Sequence, residues 1–190
     1  MAMVMGWTAR ATATESNATV AAQESAMAPD ARVRGVSTRL VAIIITATAQ
    51  SKTFRGLVEQ IGTTDGVVYV AEGQCGQGVR ACLLHSMTAM GPNRLLRILV
   101  DPRTADRDLM SNIGHELQHA VEVLSDRNVR SFSAMTLLYK RICNACGRRI
   151  ETDAAIAAGE VVRSELQKSL SCRAVPSDRM KADPGSSHRA

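Results

Sequence analysis

Residues 109–124 read LMSNIGHELQHAVEVL, and the way this stretch folds decides how the rest of the chain is understood. Leu109, Ile113, Leu117, Ala120 and Leu124 recur at i, i+4, i+8, i+11 and i+15, the spacing of one apolar helix face. At about 100° per residue, His115, His119 and Glu122 form a second stripe more than about 150° from the centre of that face. Neither histidine is therefore expected in the core. His115-Glu116-Leu117-Gln118-His119 matches H-E-x-x-H, which chance would produce roughly 0.004 times in a chain with this many His and Glu.

The spacing suits a specific chemistry. One turn apart, two imidazoles reach a single zinc ion at Zn–N distances of about 2.0–2.1 Å. Glu116 is rotated by about 100° and addresses a water on the metal without ligating it. Zinc lowers the pKa of that water toward about 7 and polarises the carbonyl under attack, while Glu116 takes the proton as general base. The outcome is hydrolysis of an amide. The opposing reading is a solvated polar face with i,i+4 contacts, in which the same residues do nothing chemical.

Working outward, two helices precede this one. Leu40, Ile43, Ile44 and Ala47 keep helical spacing, and Ser51 is a good N-cap for a helix on which Phe54, Leu57, Val58 and Ile61 face inward until Gly62. Val67–Val70 and Leu95–Val100 are short aliphatic runs bounded by Gly66, Gly73, Pro92 and Pro102 and read as strands, with a weaker third over Val79–Leu84. Helices are predicted near 105–125, 131–146 and 151–169. Residues 1–35 are rich in Ala, Thr and Met and read as a disordered leader; 171–190, with Pro176, Pro184 and Gly185, read as a frayed tail. The domain proper is expected over 36–170.

At Ile113-Gly114-His115-Glu116-Leu117-Gln118-His119-Ala120 the sequence resembles the active-site helix of the zincin superfamily of metallopeptidases. The motif match is short, and the order of elements over 36–170 is loosely similar to small zincins. The resemblance implies an α+β fold: a small zincin-like domain with a short sheet, whose last strand lies beside the cleft, and an active-site helix followed by C-terminal helices. It also implies one Zn2+ per chain, a peptide or protein substrate and hydrolase activity.

The zincin branch with H-E-x-x-H-x-x-G-x-x-H is excluded, because Glu122 stands where that pattern has Gly and the next histidine is His188. In the gluzincin branch a Glu from a following helix completes the site, and Ile150-Glu151-Thr152-Asp153-Ala154-Ala155 looks like that segment, which makes Glu151 the third ligand. The departure is Ala155, where gluzincins commonly carry an Asp; here Asp153 comes two residues after the Glu. Glu122 is the alternative ligand, but three ligands at i, i+4 and i+7 spread over about 10 Å of helix, so it fits better as an acceptor for His119. Asp153 could hold a ligand's outer nitrogen or ligate in place of Glu151. The bland reading of Glu151 is an acid favoured at a helix N-terminus. Tyr139, His85 and Arg148 are candidate oxyanion stabilisers with nothing to choose between them, and Tyr139 beside Leu137-Leu138 reads as a packing residue. Gly114 costs about 1 kcal/mol relative to Ala within a helix, which suggests close approach of a strand or loop.

Composition narrows the remaining classes. At 190 residues and 45% hydrophobic, the chain has enough material for one core, and its longest apolar run, Leu40–Ile45, is too short to span a membrane. Only 3% of residues are aromatic, and the charge of +5 is scattered, so nucleic acid is not an expected partner. Five cysteines leave several readings open. Cys143-x-x-Cys146 falls in a helical pattern facing the core, or joins Cys75 and Cys82 in a four-thiolate zinc site, and a Cys75–Cys82 disulfide is plausible only after export; Cys172 has no assigned role. The chain as given reads as cytoplasmic. If translation began at Met27, Arg32, Arg34 and Arg39 before Leu40–Thr46 and Ala47-Thr48-Ala49 would resemble an export signal. Two other functions compete with hydrolysis: an inactive metal-binding relative of the zincins and a metal-free helical interaction protein.

Overall fold

A computed structural model describes residues 31–143 and 150–173. Among the described residues, five helices and a five-stranded sheet make an α+β architecture. The sheet is mixed, because β1 (Val33–Gly35), β2 (Gly66–Glu72) and β5 (Asn93–Val100) run parallel, whereas β3 (Ala81–Leu83) and β4 (Thr88–Met90) pair with β5 antiparallel. Val68 stands opposite Val33 on one side and Leu96 on the other, and Cys82 stands opposite Leu99. β5 alternates as a half-buried strand should: Arg94, Leu96, Ile98 and Val100 are buried and Arg97 is exposed. The buried set faces the helices.

Helices α1 (Thr38–Gln50) and α2 (Lys52–Gly62) follow the predicted periodicity. Ser37 and Ser51 cap them by accepting hydrogen bonds from Leu40 N and Phe54 N, and Leu40, Ile43, Ile44 and Ala47, then Phe54, Leu57 and Ile61, are buried. The stretch that could be taken for an export signal is thus α1, with four side chains in the core. Helix α3 (Asp106–Ser125) carries H-E-x-x-H, and its apolar face from Leu109 to Leu124 is fully buried. Helices α4 (Phe132–Ile142) and α5 (Asp153–Arg173) are the last two elements among the described residues. No helix among the described residues is long and apolar enough to cross a membrane.

Two polar ties fix the helices relative to the sheet. Arg94 has no exposed surface, an arrangement tolerated only when a buried charge is paired and its donors are used. Its Nε bonds to Asp65 at 2.8 Å, and its Nη atoms donate to the carbonyls of Val123, Leu124, Asp126 and Val129 at 2.7–3.2 Å. Helices leave their last carbonyls without partners, so this arginine caps α3 from the sheet. At the other tie, Glu165 of α5 accepts from Ser51 Oγ, Thr53 N and Thr53 Oγ1, capping the start of α2.

Several boundaries depart from the sequence reading. β1 falls inside the segment read as leader, because three residues paired to β2 are too few to show an alternating pattern. β4 was not expected; it forms a hairpin with β5 around Gly91, whose φ of 57° suits the turn. α4 stops at Ile142, so Cys143 caps the helix instead of lying within it, and Cys146 is outside the described residues. α5 starts at Asp153, not 151, and continues to Arg173, past the expected tail boundary. Cys75 and Cys82 form a disulfide, which excludes them from a four-thiolate metal site. Cys143 is disulfide-bonded as well.

Helices α3 and α5 pack at unusually short range. A Cβ on Gly114 would lie 3.0 Å from Val162 Cγ2, and one on Gly159 would lie 3.1 Å from His115 Cβ. The close approach suggested by Gly114 is therefore that of a helix, and a second glycine on the partner completes it. This contact sets the start of α5 beside His115.

Candidate metal centre

The three residues come from two elements. His115 and His119 lie one turn apart on α3, and Glu151 sits in the turn just before α5, two residues ahead of the helix on which it was expected. One donor atom from each of His115, His119 and Glu151 lies within 4.8 Å of the other two. His115 Nε2 is 3.1 Å from Glu151 Oε2, and the two imidazoles meet edge to face with centroids 4.9 Å apart. Despite that short separation the contact lacks hydrogen-bond geometry, and Glu151 Oε2 is a buried oxygen without a hydrogen-bond partner. Such an orphan is costly in an ordinary ion pair and natural at a cation site. Two imidazole nitrogens with a carboxylate oxygen are also a donor set that zinc accepts.

Glu122 has the position of an outer acceptor. Its Oε2 lies 3.0 Å from His119 Nδ1, and its Oε1 accepts from Thr152 Oγ1 at 2.6 Å. Burial alone would raise the Glu122 carboxyl, but hydrogen bonds from His119, Thr152 and Gln118 hold it below its ordinary value. A carboxylate at Nδ1 favours the tautomer that leaves Nε2 with a free lone pair. Thr152 was missed in the sequence. It caps α5 through Ala155 N and at the same time ties the residue after Glu151 to α3. A Thr at the head of a helical run was the available signal. Asp153, the other alternative, is exposed and stands outside the cluster of three donors.

The stripe carrying these groups is less open than helix geometry alone predicts. His119 and Glu116 are 4% and 8% exposed, because β3, α4 and the start of α5 close over the side of α3 opposite the core. A cleft of about 230 Å3 remains, lined by Leu83, His85, Glu116, His119, Tyr139 and Glu151 among others. Glu116 Oε2 accepts from Leu83 N at 2.7 Å, so the edge strand holds this carboxylate in place. Burial lifts the Glu116 carboxyl to about 7, against the opposing pull of His119 and of the Leu83 N–H. Burial, then the charge of His119, lowers His115 below its ordinary value, with Glu151 acting the other way.

Of the three oxyanion candidates, Tyr139 and His85 reach the cleft and Arg148 lies outside the described residues. Tyr139 is buried, stacks near His85 and edge-on to His119, and its hydroxyl donates to His119 O at 3.4 Å. Desolvation first, then the nearby Glu122 and Glu116, push its phenol well above the usual range, so it stays a neutral donor. No family model, no curated protein and no solved structure matches this chain.

Proposed function

We propose that this chain is a zincin-type zinc peptidase, closest to the gluzincin branch, that hydrolyses peptide bonds with Glu116 as general base. The observation that carries the reading is the convergence of His115, His119 and Glu151, with an orphaned oxygen on Glu151, where His119 and Glu151 line the cleft that also holds Glu116. His115, His119 and Glu151 would hold one zinc ion, which when bound supplies Lewis acidity toward a carbonyl and toward water.

The chain's own residues account for the proton traffic. Leu83 N–H fixes one oxygen of Glu116, and the other, Oε1, has no hydrogen bond to the described residues. That free oxygen accepts the proton of the attacking water and delivers it to the departing amine. Glu122 orients His119, and Thr152 orients Glu122, so the ligand geometry is set before substrate arrives. The covering of α3 by β3 and α4 limits water in the cleft, which strengthens each charge interaction there.

The test is peptide turnover by zinc-loaded chain beside Glu116→Gln and His119→Ala. The reading expects zinc without turnover in the first variant and loss of both in the second. Zinc retained by His119→Ala would contradict it.

A further inference from the structure

A second depression, of about 720 Å3, adjoins the metal cleft, since Val79 lines both and Cys75 of one cleft is followed by Gly76 of the other. Its wall contains Gly76–Gly78, Arg80, Asp101 and Arg103. We infer that this depression is a subsite for a carboxylate of the substrate, about three residues along from the bond that is cut; the inference rests on the peptidase reading above.

The arrangement of charge carries it. The Asp101 side chain is 8% exposed, and its two oxygens accept from Arg80 Nη1, Arg103 Nε, Arg103 Nη2 and Arg103 N at 2.9–3.0 Å. Four donors saturate that carboxylate, so it holds both guanidinium groups in place without competing for an incoming anion. The arginines themselves are mostly open, at 58% and 76% of side-chain surface. Arg80 Nε and Nη2 and Arg103 Nη1 have no partner among the described residues. Two positive charges against one negative leave the wall with a net charge of +1. Planar N–H forks fixed in this way match the two oxygens of a carboxylate.

Position relates this pocket to the chemistry. Arg80 immediately precedes β3, and Leu83, at the far end of the strand, holds Glu116. Three strand residues span about 10 Å, a distance that an extended peptide lying beside β3 also covers with three residues. The carboxylate could belong to a Glu or Asp side chain, which suits an endopeptidase, or to the free C-terminus of the substrate, which suits an exopeptidase.

Binding measured by fluorescence anisotropy on the full Glu116→Gln chain, with and without zinc, separates these sources. Three probes suffice: a blocked, otherwise uncharged peptide with one Glu, its Gln twin, and the Gln twin with a free C-terminal carboxylate. At least one carboxylate probe is expected to bind about tenfold tighter than the blocked Gln twin, with the preference fading as salt rises. Arg80→Gln and Arg103→Gln should each reduce the preference and leave the blocked twin's affinity unchanged. Equal affinities for all three probes, no measurable binding by any, or a preference untouched by both substitutions would overturn the subsite. A chain that keeps the preference yet never cuts a peptide supports the subsite and tells against the peptidase reading instead.

Discussion

At Glu116 the neighbouring Leu83 N–H occupies one carboxylate oxygen, and a Gln in its place keeps an oxygen for that bond while losing the ability to accept a proton. Glu116→Gln is therefore expected to cut hydrolysis by at least about 100-fold with zinc content unchanged, which paired turnover and elemental analysis would check. Glu122 and Glu151 make the complementary comparison. Glu122 touches His119 through its outer nitrogen, so Glu122→Ala should weaken zinc by about 10- to 100-fold, and Glu151→Ala should weaken it far more. Competition with a chelator ranks the two, and the reverse order would move the third ligand onto α3. The motif residues could be read from the sequence because their spacing is local to one helix. The tie from Thr152 to Glu122 and the bond from Leu83 to Glu116 could not, because they depend on which strand and which turn close over that helix.

The elements are held by features that hydrophobic periodicity does not report. Arg94 stands just before the apolar run that reads as a strand, yet it is buried within β5 and caps four carbonyls at and after the end of α3. Arg94→Met removes the charge, strips its bonds from those carbonyls and leaves Asp65 with Arg130 alone, and urea unfolding is expected to show a loss of about 3–5 kcal/mol. A loss under about 1 kcal/mol would mean that the cap contributes little. Gly159→Ala tests the packing of α3 on α5. Helix propensity favours Ala by about 1 kcal/mol, while the new methyl presses on His115 Cβ, so stability should change little and zinc affinity should fall. Helices α1, α2 and α3 followed from the period of 3.6 and strands β2 and β5 from aliphatic runs bounded by Gly and Pro, whereas β1 and β4 are too short to show either signal and owe their form to pairing.

Across the whole molecule, two depressed carboxyls tie distant elements and make stability depend on pH. Hydrogen bonds from Arg94 hold Asp65 below its ordinary value, and although burial opposes it, bonds from Ser51 and Thr53 do the same for Glu165. Groups with depressed folded-state pKa contribute fully above their unfolded values near about 4 and lose that contribution as pH falls through the folded values. The part of the urea midpoint that these two carboxyls supply should thus be lost below about pH 4, with a shallower drop there in Asp65→Asn. The sheet with its packed helices could be anticipated as an α+β class, but the route by which β3 and the start of α5 enclose the histidines is a tertiary fact. It turns a stripe expected at the surface into a cleft in which His119 is 4% exposed. The claim that this cleft holds a metal is tested most directly by zinc content, measured by elemental analysis on untagged protein beside His115→Ala at matched concentration. The account predicts about one zinc per chain, lost in the variant. A folded protein that takes up no zinc on reconstitution, or a variant that keeps it, would contradict the account.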